Sequence, residues 1–188
     1  GVDHKTVTAA GGETFTCDID LFDAERDPFP YPEARFDTVL CCELIEHLPA
    51  DPMHMMAEIN RILAPGGRLV LTTPNIGSLR AIAAILQGFH PGFFPAYLRP
   101  RGDGEGGDAR HNREYTPKEV YMLLHYAGFE VERLETGPFR DEPKPEHLWV
   151  RHLLERYRLD TDLRGDGIYA VGKKSGPVRE RFPAFLYD

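Results

Sequence analysis

The chain has 188 residues, which is the length of one α/β domain and too short for two full domains with a linker. Its 22 lysines and arginines against 30 aspartates and glutamates give a formal net charge of −8, so we expect no general phosphate-neutralising surface, and local basic patches stay open. No apolar stretch approaches the ~20 residues of a membrane helix, no signal peptide is visible, and Cys17, Cys41 and Cys42 have neither disulfide-framework nor zinc spacing. We therefore expect a cytoplasmic, reducing setting and no membrane span.

The first predicted element is a β-hairpin. Residues 5–9 and 13–19 alternate in polarity, are rich in β-branched side chains and flank the Gly11-Gly12 pair, which is typical of a hairpin turn. A polar loop with three prolines follows over residues 20–35, so no regular element is expected there.

A strand, a helix and a second strand come next. Residues 36–42 form a short apolar run of the kind found in parallel strands that are buried on both faces. Asp51 is a suitable N-cap for a helix over about residues 52–63, and the Pro-Gly-Gly that follows should end it. Residues 68–73 then predict another buried strand.

The second half of the chain continues with helices and strands. The predicted elements are a helix at 79–86, a helix at 116–126, a strand at 129–134, a helix at 146–157, a strand at 167–172 and a tail at 175–188. The Thr-Pro-Lys-Glu at 116–119 is a capping box with proline in the first turn. Residues 88–113 are rich in glycine and proline and predict a long, lid-like surface loop. This order predicts an α/β fold, a mostly parallel sheet with helices on its faces.

Residues 36–75 carry the most specific pattern in the chain. The strand ending Leu-Cys-Cys is followed by Glu-Leu-Ile-Glu-His-Leu, a helix ending Arg-Ile-Leu-Ala-Pro-Gly-Gly, and the strand Arg-Leu-Val-Leu-Thr-Thr-Pro-Asn. This pattern closely resembles the middle of class I S-adenosylmethionine-dependent methyltransferases, and residues 23–29 resemble the acidic loop of that family. The resemblance covers about residues 14–134 and implies a Rossmann-like sheet flanked by helices, with S-adenosylmethionine as cofactor.

The Gly-rich turn that follows the first strand in that family has no counterpart in the sequence. In the family, backbone N–H groups of this turn meet the methionine end of the cofactor, whereas Gly11-Gly12 lies inside a hairpin pattern. The chain also begins with Gly1 rather than with methionine. We therefore expect residues 1–188 to be a single, N-terminally incomplete domain that lacks the first strand and binds the cofactor poorly by itself.

The resemblance implies five cofactor-binding residues. Asp3, at the end of the family's second strand, would accept from the ribose hydroxyls, and a frayed terminal residue is the alternative. Asp23 would accept from the adenine amino group beside the backbone N–H of Ala24, unless it is a solvated loop residue. Cys42 and Glu43 end the buried strand at its carboxyl edge, where open α/β sheets bind ligands. There Cys42 would pack against adenosine or is a plain core cysteine.

A candidate metal site lies just after the same strand. Glu43, Glu46 and His47 are spaced so that a helical turn would bring their side chains to one side. Together with His111 they resemble the metal-dependent 2′-O-methyltransferases of small-RNA 3′ ends, whereas ubiquinone-pathway O-methyltransferases share only the first three. The resemblance implies that these four residues hold one divalent ion, with Glu46, His47 and His111 as catalytic residues. A metal-free role, such as general base catalysis by Glu46 or His47, and a purely structural role remain open.

The function that the resemblance implies is S-adenosylmethionine-dependent methyl transfer, and we expect a hydroxyl oxygen as the acceptor. Arg99, Arg101, Arg110 and Arg113 form a locally basic stretch, which is consistent with an anionic or sugar-like small-molecule substrate; a solvated loop with scattered charge explains it equally well. A nucleic-acid acceptor stays open but is disfavoured, because neither an RNA-binding module nor a general basic face is present. The rival hypothesis is a methyltransferase-like module that does not bind cofactor and serves as a structural or interaction domain. The sequence does not indicate the oligomeric state.

Overall fold

The computed structural model describes residues 3–93, 110–138 and 147–188. The strands are β1 (Asp3–Thr8), β2 (Thr14–Ile19), β3 (Phe36–Cys42), β4 (Leu63–Pro74), β5 (Phe129–Gly137) and β6 (Gly167–Lys174). The helices are α1 (Pro52–Ile62), α2 (Leu79–Leu86), α3 (Pro117–Tyr126), α4 (Leu148–Arg156) and α5 (Ala184–Tyr187). The α/β class expected from the sequence is confirmed.

The main sheet has four strands in the order β3-β4-β6-β5. β3 pairs parallel with β4, whereas β6 pairs antiparallel with both β4 and β5. β3, β4 and β5 consequently run in the same direction, and their carboxyl ends lie along one edge of the sheet. Three of the four strands are therefore parallel in direction, as predicted. Because β6 runs antiparallel between β4 and β5, however, β3–β4 is the only parallel pair of neighbours among the described strands.

β3 is an edge strand among the described residues, contrary to the burial expected for it. It pairs on one side only, and of its residues only Cys41 is buried. Leu40 is 69% exposed. The strand itself was therefore predicted correctly, but its predicted burial on both faces is wrong for the described part of the chain. Such burial requires a second neighbouring strand and covering side chains, which the described residues do not provide.

β1 and β2 form a separate antiparallel hairpin, which confirms the hairpin prediction. The turn closes with a hydrogen bond from Ala9 N to Glu13 O (2.8 Å), and Gly12 has a φ of 85°, a conformation that favours glycine. Asp3 begins β1 opposite Ile19 instead of ending a strand of the main sheet, so its expected placement is wrong. A short hairpin pairs locally, and the sequence pattern does not tell a hairpin strand from a sheet strand.

α1 begins at the predicted signal and ends earlier than predicted. The Asp51 side chain accepts from His54 N (3.0 Å), and a proline occupies the first helical position. α1 ends at Ile62, and β4 starts at Leu63 because that residue already pairs with Phe36 of β3. The Pro-Gly-Gly segment is therefore an irregular part of the long strand β4: Gly66 has a φ of 76°, and the register with β3 shifts between Phe36 and Thr38.

The side chains of the core form two apolar clusters. The larger contains the buried faces of α1 and α3 against the main sheet; its members include Met53, Met56, Ile59, Leu69, Leu71, Val120, Leu123 and Ile168. The smaller joins α2 to α4 through Leu79, Ala83, Val150 and Leu154. The capping box at the start of α3 is confirmed: Thr116 and Glu119 each bond the other's backbone N–H. The two clusters hold the helices so that the loops after β3 and β4 meet at one edge of the sheet.

The tail contains α5, which the sequence pattern did not single out. It folds back onto the larger cluster, with Phe185, Leu186 and Tyr187 packed against it. None of the described helices is long and apolar enough to cross a membrane. Most of the predicted lid-like loop, with Arg99 and Arg101, lies outside the described residues.

Candidate active site

Glu43 is the first residue of the candidate site, at the carboxyl end of β3. Its backbone is left-handed (φ 52°) and turns the chain away from the strand. Its N–H donates to Thr72 O (2.9 Å), and its Oε1 accepts from Thr72 Oγ1 (2.7 Å). Burial raises the pKa of the Glu43 carboxyl; the hydrogen bond from Thr72 opposes this, and the neighbouring Glu46 adds to it. Glu43 is thus anchored to β4.

Glu46 lies in a single 3-10 turn, Ile45–His47, and its side chain points into the protein. The residue is fully buried, and Oε2 accepts from Thr73 Oγ1 at 2.8 Å. Oε1 is also buried, and it has no hydrogen-bond partner among the described residues. Because a buried carboxylate oxygen without a donor is costly, a proton donor or a cation at this position would be stabilising.

The segment before α3 docks on this turn. Asn112 N donates to the Glu46 carbonyl (2.8 Å), and Asn112 Nδ2 donates to the His47 carbonyl (2.6 Å). His47 Nδ1 lies 2.9 Å from the Arg110 carbonyl, a contact that needs the tautomer with its proton on Nδ1. These contacts bring His111 beside His47, with the ring centroids 4.9 Å apart.

Glu46, His47 and His111 converge on one point. One ligand atom of each lies within 4.8 Å of those of the other two. His47 Nε2 is 3.9 Å from Glu46 Oε1. Glu43, the fourth residue expected here, is close enough to interact electrostatically with all three but is outside the cluster, and its carboxylate accepts from Thr72 instead. The structure brings together three of the four residues, and their roles stay predictions.

Glu114 belongs to the same site, although the sequence pattern did not single it out. Its Oε1 lies 2.9 Å from His111 Nδ1 and accepts from Phe93 N at 2.6 Å. The side chains of His111 and Glu114 are only 8% and 3% exposed. A carboxylate behind an imidazole orients the ring and selects its tautomer. The His-x-x-Glu spacing was the only sequence signal, and outside a helix this spacing does not predict a contact.

The predicted adenine-binding residues lie beside an apolar cavity of about 340 Å³ between β3, α1 and the preceding loop. Ala24 lines this cavity, and Asp23 is exposed next to it, with Oδ1 accepting from Glu25 N (2.9 Å). Cys41 rather than Cys42 lines the cavity, and burial raises the pKa of its thiol to about 12. Cys42 is exposed, so the alternative of a core cysteine is wrong at that position.

Glu25 holds the acidic loop in place and was not predicted from the sequence. It is buried, and its Oε1 accepts from Ala50 N (2.7 Å) and from Asp51 N. The loop is thereby tied to the start of α1. The side chain of Asp3 lies outside the described part of the structure, so its ribose-binding role stays a prediction.

Fold and site together define an α/β domain with polar side chains gathered at the carboxyl edge of a Rossmann-like sheet. Residues 8–134 match the family model described as a methyltransferase domain, and the chain belongs to that family. The resemblance to class I S-adenosylmethionine-dependent methyltransferases is thereby confirmed.

The chain is similar to curated methyltransferases and to a methyltransferase of known structure. The ubiquinone biosynthesis O-methyltransferase of Thiobacillus denitrificans is 29% identical over 158 residues, which cover 84% of this chain and 59% of that protein. The 27-O-demethylrifamycin SV methyltransferase of Amycolatopsis mediterranei is 36% identical over 74 residues, or 37% of this chain and 27% of that protein. A crystal structure of a SAM-dependent methyltransferase from Methanosarcina mazei shares the fold, with a TM-score of 0.52 at 17% identity over 83% of this chain and 66% of that one. The matched part of this chain thus corresponds to 27% and 59% of the length of the two curated relatives.

Proposed function

We propose that this protein transfers a methyl group from S-adenosylmethionine to a hydroxyl oxygen of a small-molecule or sugar-like acceptor. The observation that carries the proposal is the convergence of Glu46, His47 and His111 at the edge where open α/β sheets bind ligands. Groups that accept a proton at such a place suit the deprotonation of an attacking hydroxyl. The relative from Thiobacillus denitrificans is named as an O-methyltransferase, which supports oxygen as the acceptor atom.

The reaction makes one bond, breaks one bond and releases one proton. When bound, S-adenosylmethionine supplies an electrophilic methyl group on a sulfonium. The acceptor oxygen forms the new C–O bond as the C–S bond breaks, so the hydroxyl proton must pass to a base. We assign His47 as that base, because its Nδ1 is engaged by the Arg110 carbonyl and its Nε2 faces Glu46. The Glu46 carboxylate stabilises the imidazolium that results.

The same residues fit a divalent cation. One carboxylate and two imidazoles suit several first-row divalent metals, and the buried Glu46 Oε1 is an orphaned acceptor that a cation would satisfy. Glu46, His47 and His111 would hold the ion with Glu43 beside it, and Glu114 orients His111. A divalent ion bound there supplies positive charge that lowers the pKa of a nearby hydroxyl. The roles of His47 as base and as ligand exclude each other, and a metal titration decides between them.

The cofactor's adenosine is assigned to the region where β3 meets the acidic loop. Asp23 and Ala24 take the adenine, Cys42 and Glu43 lie at the strand end, and Asp3 takes the ribose hydroxyls. The support is the apolar cavity that Ala24 lines beside the exposed Asp23 carboxylate.

The test is a methyl-transfer assay with the purified protein, S-adenosylmethionine and a panel of phenols, catechols and sugars, with products identified by mass spectrometry. We expect a methyl ether and S-adenosylhomocysteine in equal amounts. His47→Gln removes the proposed base and should lower kcat by about 10²–10⁴, the usual contribution of general acid–base catalysis. The matched control Glu130→Gln changes an exposed residue of β5 and should leave kcat unchanged.

Three outcomes would contradict the proposal. Methylation at nitrogen or carbon, or an unchanged kcat for His47→Gln, would remove the oxygen mechanism. No rise in the melting temperature of the full-length protein with millimolar S-adenosylmethionine would favour the rival module that does not bind cofactor, since a ligand of the native state must stabilise it. One equivalent of Mn²⁺ bound by the wild type and lost in Glu46→Gln would assign His47 as a ligand rather than as the base.

A further inference from the structure

A second cluster of charged side chains lies near the candidate active site and takes no part in the chemistry proposed above. Arg80, Arg151 and Arg164 line a cavity of about 150 Å³ between the starts of α2 and α4 and the loop before β6. Asp166 is the only carboxylate among the described residues that line it. The lining of this cavity is therefore locally positive, although the chain as a whole has a net charge of −8.

Two of the arginines are held by carbonyl oxygens. Arg164 donates to Gly77 O (3.0 Å) and to Asp160 O (2.8 Å). Arg80 donates to a loop carbonyl at 3.0 Å, and its Nε is buried without a hydrogen-bond partner in the described part of the chain. The Asp166 carboxylate lies 3.8 Å from that nitrogen. Both guanidinium groups are therefore oriented, and neither is hydrogen-bonded to a carboxylate among the described residues.

Arg151 completes the set from near the start of α4. It is exposed, and the described residues provide it with no hydrogen bond or ion pair. Arginine forks match the paired oxygens of phosphate and carboxylate groups, which a cavity of about 150 Å³ can contain.

The end of β4 connects this cavity to the candidate active site. Thr73 holds Glu46, and Asn75 follows two residues later with a buried side chain. The Asn75 amide donates to two carbonyls of the loop that carries Arg164, at 3.0 and 2.7 Å. Thr73 and Asn75 are about 7 Å apart along this extended strand. The same short segment therefore contacts both Glu46 of the candidate active site and the loop that carries Arg164.

A second connection runs through Arg80. Its guanidinium lies over the ring of Phe93, 4.6 Å from the centroid. The N–H of Phe93 donates to Glu114, which in turn contacts His111. A ligand held by Arg80 would therefore lie a few side chains from the proposed catalytic cluster.

The geometry points to an oxyanion site: this cavity binds a phosphate or carboxylate group of the methyl acceptor and so orients its hydroxyl toward the catalytic cluster. The statement that the ligand belongs to the acceptor rests on the proposed function. The binding of the anionic group itself does not, because it needs neither cofactor nor catalysis.

The test is a titration with inorganic phosphate, followed by ³¹P NMR or calorimetry at constant ionic strength, without cofactor or metal. Wild type and Arg156→Ala, which removes an exposed arginine of α4 outside the cavity, should bind phosphate equally. Arg151→Ala should bind about tenfold more weakly, because it loses a hydrogen bond to a charged group. Arg151→Lys should recover part of this loss. A parallel titration with acetate shows which of the two oxyanions is preferred.

The proposal is overturned if the wild type binds neither phosphate nor acetate saturably. An equal loss in Arg151→Ala and Arg156→Ala also overturns it. Selective loss in Arg151→Ala without methyl transfer to any acceptor supports the anion site and removes the proposed function. Methyl transfer with phosphate affinity unchanged in Arg151→Ala keeps the function and removes the anion site.

Discussion

Glu114 contacts the ring of His111 and fixes its orientation in the site. The carboxylate contacts His111 Nδ1 at 2.9 Å and also accepts from Phe93 N at 2.6 Å, so one side chain ties the ring to the loop after α2. Both partners are buried, and a contact of this kind has few alternative geometries. We therefore propose that Glu114 is a positioning residue, which would act on a bound group through His111.

The first prediction concerns this residue. If the cluster binds a divalent cation, Glu114→Gln should weaken Mn²⁺ binding by about 10-fold, and Glu114→Ala by up to about 100-fold, because carboxylates behind a ligating histidine have effects of that size. The measurement is an EPR titration of free Mn²⁺. Glu132→Gln removes an exposed carboxylate that pairs with Arg68 and should have no effect. Affinity within twofold of wild type for both Glu114 variants would show that the ring needs no such support.

At the scale of residues, some members of the candidate site were predictable from the sequence and others were not. Glu46, His47 and His111 were predicted from a motif, and the structure brings them together. Glu114 and Glu25 were not predicted, because a single acidic residue in a loop looks the same whether it is solvated or buried. Only the packing of chain segments far apart in sequence distinguishes the two cases.

α2 and α3 are each followed by a glycine with a left-handed backbone, but the two glycines differ in how closely other atoms surround them. Gly88 follows α2 with a φ of 83°, and Gly128 follows α3 with a φ of 90°. A Cβ on Gly88 would meet nothing within 4 Å, whereas one on Gly128 would lie 2.5 Å from Pro177 O and 2.8 Å from Asn60 Nδ2. The end of α3 is thus packed tightly under the tail, and the end of α2 is open.

The second prediction is a difference between these two glycines. Gly88→Ala should destabilise the protein by about 1 kcal/mol, the cost of a left-handed conformation for a residue with a Cβ. Gly128→Ala should cost roughly 2–4 kcal/mol, since backbone atoms must also move to relieve the clash. Urea unfolding of both variants measures the difference. Equal values would mean that the tail does not pack against Gly128 in solution.

At the scale of the whole molecule, Asp51 joins the start of α1 to the end of the chain. Its carboxylate accepts from His54 N, from both Nη atoms of Arg181 and from Tyr187 Oη. Burial alone would raise the pKa of Asp51, but the hydrogen bonds from Arg181 and Tyr187 outweigh it and hold the pKa at about 2. Burial and the bond to Asp51 raise the pKa of Tyr187 to about 12. The tail is therefore a folded part of the domain.

The third prediction follows from the lowered pKa of Asp51. Its folded-state pKa lies below the ordinary value of 3.8, so its stabilising effect is present above that value and is lost as the pH falls toward 2. Asp51→Asn keeps a good N-cap residue but removes the charge. It should lower the free energy of unfolding at pH 6 by about 1–2 kcal/mol and flatten the loss of stability between pH 4 and 2. If the stability of Asp51→Asn falls between pH 4 and 2 as steeply as that of the wild type, the lowered pKa of Asp51 is contradicted.

The fourth prediction isolates the hydrogen bond of the tail. Tyr187→Phe removes the donor to Asp51 and the acceptor of Met53 N, and should cost about 1 kcal/mol of unfolding free energy. Tyr157→Phe changes a tyrosine that is 65% exposed and should cost nothing measurable. Denaturant unfolding compares the pair at neutral pH. Equal stability of the two variants would show that the tail contact contributes nothing.

The sequence by itself determined the local elements of this protein and the family to which it belongs. The hairpin turn at Gly12, the N-cap at Asp51 and the capping box at Thr116 each depend on a few neighbouring residues, so their physical causes are readable along the chain. The motif after β3 likewise lies within five residues. Such short-range causes do not depend on how the chain folds back.

Only the tertiary structure decided which distant groups meet. It showed β3 as an edge strand in the described chain, placed Glu114 behind His111, grouped three arginines around one cavity and docked Tyr187 on Asp51. These contacts join segments far apart in sequence, and their geometry follows from strand order and helix packing. No periodicity or spacing encodes that geometry, because burial and charge pairing depend on every element packed around a side chain.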